Sequence, residues 1–184
     1  MQKKIRISLN SILILSFIIL INGCSTGLFS KISKNSYAER VFETFQKKEI
    51  ISNLEVKAII QSAYLNHTDP EKYSGNEYFF VSVYIADDFQ DEEKKGLLNP
   101  FYKMSLNGKE AISITPLEKD SELVKKMPFK SNWSSEFVVE FNQSKSEKLT
   151  ITYEHNHFGK VQLYHLKGSA IEPDYPTIVD RLSN

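Results

Sequence analysis

Between Leu54 and Tyr64 the chain alternates. Leu54, Val56, Ala58, Ile60, Ser62 and Tyr64 fall on one side, and Glu55, Lys57, Ile59, Gln61 and Ala63 on the other. A period of two predicts a strand with one face in a core. Upstream the period is helical instead. Tyr37, Val41 and Phe45 share a face with Phe42 beside them, behind a capping box made by Ser36 and Glu39. Lys47 and Lys48 suit the C-terminal end of such a helix, so the pattern predicts one amphipathic helix over about residues 37–48.

After the turn-rich stretch NHTDPEKYSGN, the segment EYFFVSVYIA is apolar on both sides: Phe79, Val81, Val83 and Ile85 against Tyr78, Phe80, Ser82 and Tyr84. Such a strand belongs in the middle of a sheet or under cover on both faces. FYKMSLNGKEAISI reads as a hairpin, because Asn107-Gly108 fits a two-residue turn with two positive φ angles. EFVVEF (136–141), EKLTITYE (147–154) and KVQLYHL (160–166) complete seven predicted strands. DDFQDEEKKG and DSELVKKMP, between strands, carry local helical signals with acids first and lysines last. Seven short strands with mostly short links predict a mainly β domain, an immunoglobulin-like antiparallel β-sandwich with one N-terminal helix over 36–168. A single curved sheet with the helix on one face is the alternative. Residues 169–184, with two prolines ahead of Ile178, Val179 and Leu182, form a C-terminal tail that either docks as a helical turn or stays exposed.

The first residues follow a different pattern. Lys3, Lys4 and Arg6 precede an apolar run from Ser11 to Ile21, and small residues follow. A hydrocarbon core about 30 Å thick needs ~20 apolar helical residues, so this run is too short to span it. Basic start, short apolar middle and small exit fit a secretory signal. Ile21-Asn22-Gly23-Cys24, ending on the only cysteine of the chain, resembles the lipobox of bacterial lipoproteins. The resemblance implies that residues 1–23 are removed and that Cys24 is acylated to become the first residue of the mature chain. Residues 24–35 then form a tether, and the lipid bilayer is a partner through Cys24. Ser25, where aspartate would signal inner-membrane retention, implies the periplasmic face of the outer membrane. In a Gram-positive host the same signal implies the outer face of the plasma membrane. Two or more acyl chains hold a protein firmly, where one is marginal.

Without residues 1–23, 161 residues remain, enough for one domain with a real core. They carry 20 basic and 23 acidic side chains, a net charge of −3, and no basic run of five; a nucleic-acid partner is not expected. With Cys24 modified no thiol is left for a disulfide, so packing and hydrogen bonding must hold the fold. Twelve Phe and nine Tyr in the chain supply the area.

The candidate chemistry is sparse. His155, His157 and His165 lie close in sequence, yet a three-residue loop His157-Phe158-Gly159 places His155 opposite Val161 and aligns Ile151 and Tyr153 with His165 and Leu163. His155 and His165 then sit ~13 Å apart, too far for one metal ion with bonds of about 2 Å. Asp87, Asp88, Asp91, Glu92 and Glu93 lack the alternating spacing of a calcium loop and are read as a solvated face. No nucleophile elbow, phosphate loop or dinucleotide fingerprint occurs. Trp133 with Tyr102, Tyr153 and Tyr164 offers an aromatic platform for a glycan or peptide, but a lone tryptophan in a small β-domain is expected to pack beneath the sheets.

The sequence therefore points to a membrane-anchored envelope lipoprotein without cofactor or catalysis, a binding or assembly module that contacts an envelope protein through a sheet edge or loop. The competing class is a periplasmic metal or small-ligand carrier, or a hydrolase, using His155/His165 or the acidic 87–93 loop.

Overall fold

A computed structural model describes residues 37–168. The expectations for the signal segment, Cys24, Ser25, the tether and the C-terminal tail lie outside the described residues.

The domain is mainly β. A short helix α1 (Tyr37–Thr44) leads into β1 (Gln46–Ser52) and β2 (Glu55–Tyr64). A single turn α2 (Leu65–Thr68), β3 (Glu77–Ile85), β4 (Tyr102–Leu106), β5 (Lys109–Glu110) and β6 (Ser113–Leu117) follow. Next come α3 (Glu122–Lys126), β7 (Ser135–Phe141), β8 (Lys148–His155) and β9 (Gly159–Leu166). They form two antiparallel sheets, one ordered β1-β2-β3-β7-β6 and the other β5-β4-β8-β9. Their inner faces share one core in which Ile60, Phe79, Phe137, Phe141, Leu149, Ile151, Tyr153 and Leu163 are buried.

β3 is central, between β2 and β7, and both its faces are covered as its pattern predicts. Phe79, Val81 and Val83 enter the common core, while Phe80 points to a second cluster on the outer face. There Val41 of α1, Leu65 of α2, Tyr73, Val124 of α3, Met127 and Phe129 close over Ala63 and Phe80. α3 begins where Ser121 accepts from the Val124 N–H and ends before Pro128, as its sequence signals predict. Asn107 and Gly108 take positive φ, +49° and +79°, in the expected hairpin turn.

Four expectations are corrected. The first helix ends at Thr44, not at residue 48: the Thr44 hydroxyl donates to the Val41 carbonyl and accepts from the Tyr64 N–H, pinning the helix to the end of β2. Lys47 and Lys48 belong to β1, which turns into β2 through Asn53 and Leu54 (φ +52° and +65°), a left-handed pair without glycine. Leu54 and Val56 are exposed: Leu54 stands in the turn itself, and Val56 pairs with exposed Ile51 beyond a bulge at Ile50/Ile51, at the tip of the hairpin. Nine strands, not seven, are present among the described residues. The hairpin after Gly108 pairs for only two residues before the chain changes sheets, and β6 pairs with β7. Finally, the β8–β9 register differs by two: His155 pairs with Gly159, Tyr153 with Val161 and Leu149 with His165. The faces are those expected, since a shift of two preserves them.

β1, β4 and β9 place the β1–β2 turn, the start of β4 and the β8–β9 turn at one end of the double sheet. The described chain enters and leaves at the other, where α1 precedes β1 and β9 ends.

Candidate functional site

Two histidines named from sequence have separate tasks. His165 is buried between the sheets; its Nε2 lies 2.8 Å from Ser62 Oγ, and its ring packs on Phe79 at 5.1 Å. Burial drives its pKa down to about 3, opposed by the Thr44 backbone beside it, although among the described residues Nδ1 has no partner in hydrogen-bond geometry. Ser62 and His165 thus have the contact of a nucleophile and its base, but both are sealed from solvent. The pair serves the core.

His155 closes its own turn. Nδ1 accepts from the His157 and Phe158 N–H groups at 3.0 and 3.2 Å, and the ring stacks on Phe158 at 4.2 Å and meets Tyr102 edge-on at 4.6 Å. Burial and then His157 lower its pKa. In the observed register His155 and His165 stand six ladder positions apart, ~20 Å at ~3.3 Å per residue.

The acidic stretch disperses its carboxylates. Asp88 Oδ2 accepts from the Gly96 N–H (2.7 Å) and Oδ1 from Asn99 Nδ2 (3.0 Å), folding the loop back on itself. Asp91 caps a 3-10 turn over Glu92–Lys94, and Glu92 pairs with Lys95 at 3.0 Å. Among the described residues no group of three or more His, Cys, Asp or Glu converges as a metal site.

Trp133 corrects the packing expectation: it is 81% exposed. The four-ring platform is not assembled either. Tyr102 and Tyr153 stack on each other in the core at 5.1 Å, where burial pushes Tyr102 up to about 12. Tyr164 lies under Lys148 on β9. Trp133 sits in the turn that enters β7, and that turn is held firmly. Lys119 Nζ donates to the carbonyls of Ser131 (3.0 Å) and Ser134 and to Glu136 Oε2 (2.6 Å). Ser134 Oγ donates to Glu136 Oε1 at 2.7 Å, and the Trp133 N–H donates to Ser131 Oγ at 3.1 Å. Beside the indole opens a pocket of about 470 Å³ lined by Glu92, Lys95, Leu117, Glu118 and Asn132. The Ser/Asn-rich string KSNWSS around the tryptophan carries the signal of a turn.

A second exposed feature occupies the hairpin end. Leu54 is fully exposed, and Ile51, Val56, Phe101 and Phe158 are also open to solvent. Lys57 Nζ lies 5.5 Å from the Phe158 ring, joining the β1–β2 and β8–β9 turns, and Phe101 continues the group to Phe89 at 6.1 Å. Sequence periodicity missed this cluster because three of its members stand in or beside turns.

No protein-family model, no curated protein and no solved structure matches the chain.

Proposed function

We propose that the protein is an envelope lipoprotein, anchored through an acylated Cys24, that acts as a non-catalytic binding or assembly module for another envelope protein. The observation that carries the binding role is the apolar hairpin end, where Ile51 and Leu54 at the β1–β2 turn, Phe158 in the β8–β9 turn and Phe101 just before β4 stand exposed. Contiguous exposed apolar surface marks interaction sites. This favours turns over a sheet edge: the outer strand β6 carries Pro116, which has no N–H to offer a pairing strand. Chain direction supports the reading. The described residues begin and end opposite the hairpin end, so that end is clear of both points where the described chain starts and stops.

Ser25 favours the periplasmic face of the outer membrane, or the outer face of the plasma membrane in a Gram-positive host. The finer fold reading is immunoglobulin-like: two antiparallel sheets with repeated crossings between them. Its sequential β1-β2-β3 run departs from the strand order of immunoglobulin sheets.

Full-length protein made in a bacterial host and captured after cross-linking tests the function. Wild type should carry acyl mass on Cys24 and retain a stoichiometric protein. Cys24→Ser should lose the acyl mass, and Leu54→Asp with Phe158→Asp should lose the partner while keeping the acylation. An underivatised Cys24, or undiminished capture by the double variant, would overturn the corresponding half.

A further inference from the structure

The pocket beside Trp133 lies at the same end of the double sheet as the apolar cluster but on its β6–β7 side, and it has its own chemistry. Leaving an indole in water forgoes the burial its area could supply. The turn that does so is fixed by four side chains, Lys119, Ser131, Ser134 and the buried Glu136. The facing wall is equally set: a Cβ on Gly96 would meet the Phe137 ring at 2.8 Å, so the 92–98 loop lies directly against the start of β7. A hydrogen-bonded turn thereby presents an exposed aromatic side chain beside an open cavity.

Charge selects what fits. Glu92 is answered by Lys95 at 3.0 Å and Glu136 by Lys119 at 2.6 Å, so of the five charged side chains lining the pocket Glu118 alone adds a net charge, a single exposed carboxylate. Glu118 and Asn132 add exposed acceptors and an amide donor, and Lys95 retains donors beyond its bond to Glu92. A single apolar ring face surrounded by balanced donors and acceptors matches a neutral ligand with hydroxyls at its rim and C–H groups on its face. A pyranose ring has that form.

We propose that Trp133 and this pocket form a saccharide-binding subsite, with the indole stacked under one sugar ring and Asn132, Glu118 and Lys95 hydrogen-bonding its hydroxyls. Trp133 is the only tryptophan of the chain, so its emission reports on this site alone.

The test is titration of the full-length protein, in a detergent whose headgroup is not a sugar, with chitotetraose, cellotetraose and maltotetraose. At least one should change the emission saturably, equally at low and high salt. By calorimetry Trp133→Ala should weaken that sugar at least tenfold, Trp133→Phe should keep part of the affinity, and Asn132→Ala should lower it several-fold. Circular dichroism should show each variant folded, since both side chains are exposed. No saturable response to any of the three sugars overturns the proposal. So does undiminished binding by Trp133→Ala, or a response only to spermidine that salt abolishes, which would make the pocket a cation site. None of these results bears on Cys24 or on partner capture by the hairpin end.

Discussion

Glu77 and Glu136 are both buried glutamates, each with a lysine at 2.6 Å, yet they serve different ends of the molecule. Glu77 opens β3 and gathers partners from distant segments: Tyr64 Oη of β2 (2.6 Å), the Ser144 N–H after β7 (2.8 Å) and Lys167 after β9. Among the described residues the Glu136 carboxylate bonds Lys119 and Ser134, both on the connection between β6 and β7. The first carboxylate ties together the end of the double sheet opposite the hairpin turns. The second shapes one loop, and that loop displays Trp133. What a buried charge does is set by how far apart in the chain its partners lie.

The sharpest way to break this contrast is to remove each carboxylate. Glu77→Ala strands a lysine, a buried hydroxyl and a backbone N–H, and should reduce stability by about 3–5 kcal/mol in urea unfolding. Burial alone would raise the Glu77 pKa, but the bonds from Lys167, Tyr64 and Ser144 outweigh it and hold it below the usual carboxylate range. Its contribution is therefore present above about pH 4.3 and is lost as pH falls through the lower folded value.

His165 gives a second, separable acid window. Its folded pKa of about 3 lies below an unfolded value of about 6.5, so between these the unfolded chain binds the extra proton. Stability should fall as pH drops through that range, on the order of 5 kcal/mol in all, and His165→Gln should flatten that slope and leave the Glu77 window. Glu136→Ala should reduce stability less than Glu77→Ala, about 1–3 kcal/mol, because Lys119 is half exposed and regains water. Its clearer mark should be a fall in tryptophan fluorescence anisotropy as the 131–134 turn loosens. Trp133→Ala should change stability by no more than about 0.5 kcal/mol. Equal losses from the two glutamate variants would erase the distinction between the ends.

Much of this fold was legible where the deciding chemistry is local. β3, β7 and β8 follow from their period, α3 from Ser121 and Pro128, and the 107–108 turn from Asn-Gly. Sheet membership was not legible. Ala111 and Ile112 carry no turn residue, yet there the chain leaves β5 for the other sheet. β1 was hidden because two lysines suit a helix end as well as an edge strand. The β8–β9 register depends on loop geometry, with Asn156, His157 and Phe158 outside the ladder and His155 capping the turn. The apolar pattern alone fixes parity, not offset. For the candidate sites, His165 shares a face with Leu163, which hints at burial, but whether Trp133 points inward depends on which connection carries it. Composition holds no such information.

Leu54 holds a left-handed backbone at φ +65° with its side chain fully in water. That conformation is strained by ~1–2 kcal/mol in a residue with a Cβ, and glycine would relieve it, for a net gain of up to about 1 kcal/mol after its larger entropy loss. Leu54→Gly should therefore raise the melting temperature while stripping the hairpin end of its most protruding apolar group. Libraries of this gene selected for heat resistance and for partner capture should diverge at this codon, the one favouring glycine and the other a bulky aliphatic. Robustness and recognition compete here for a single position.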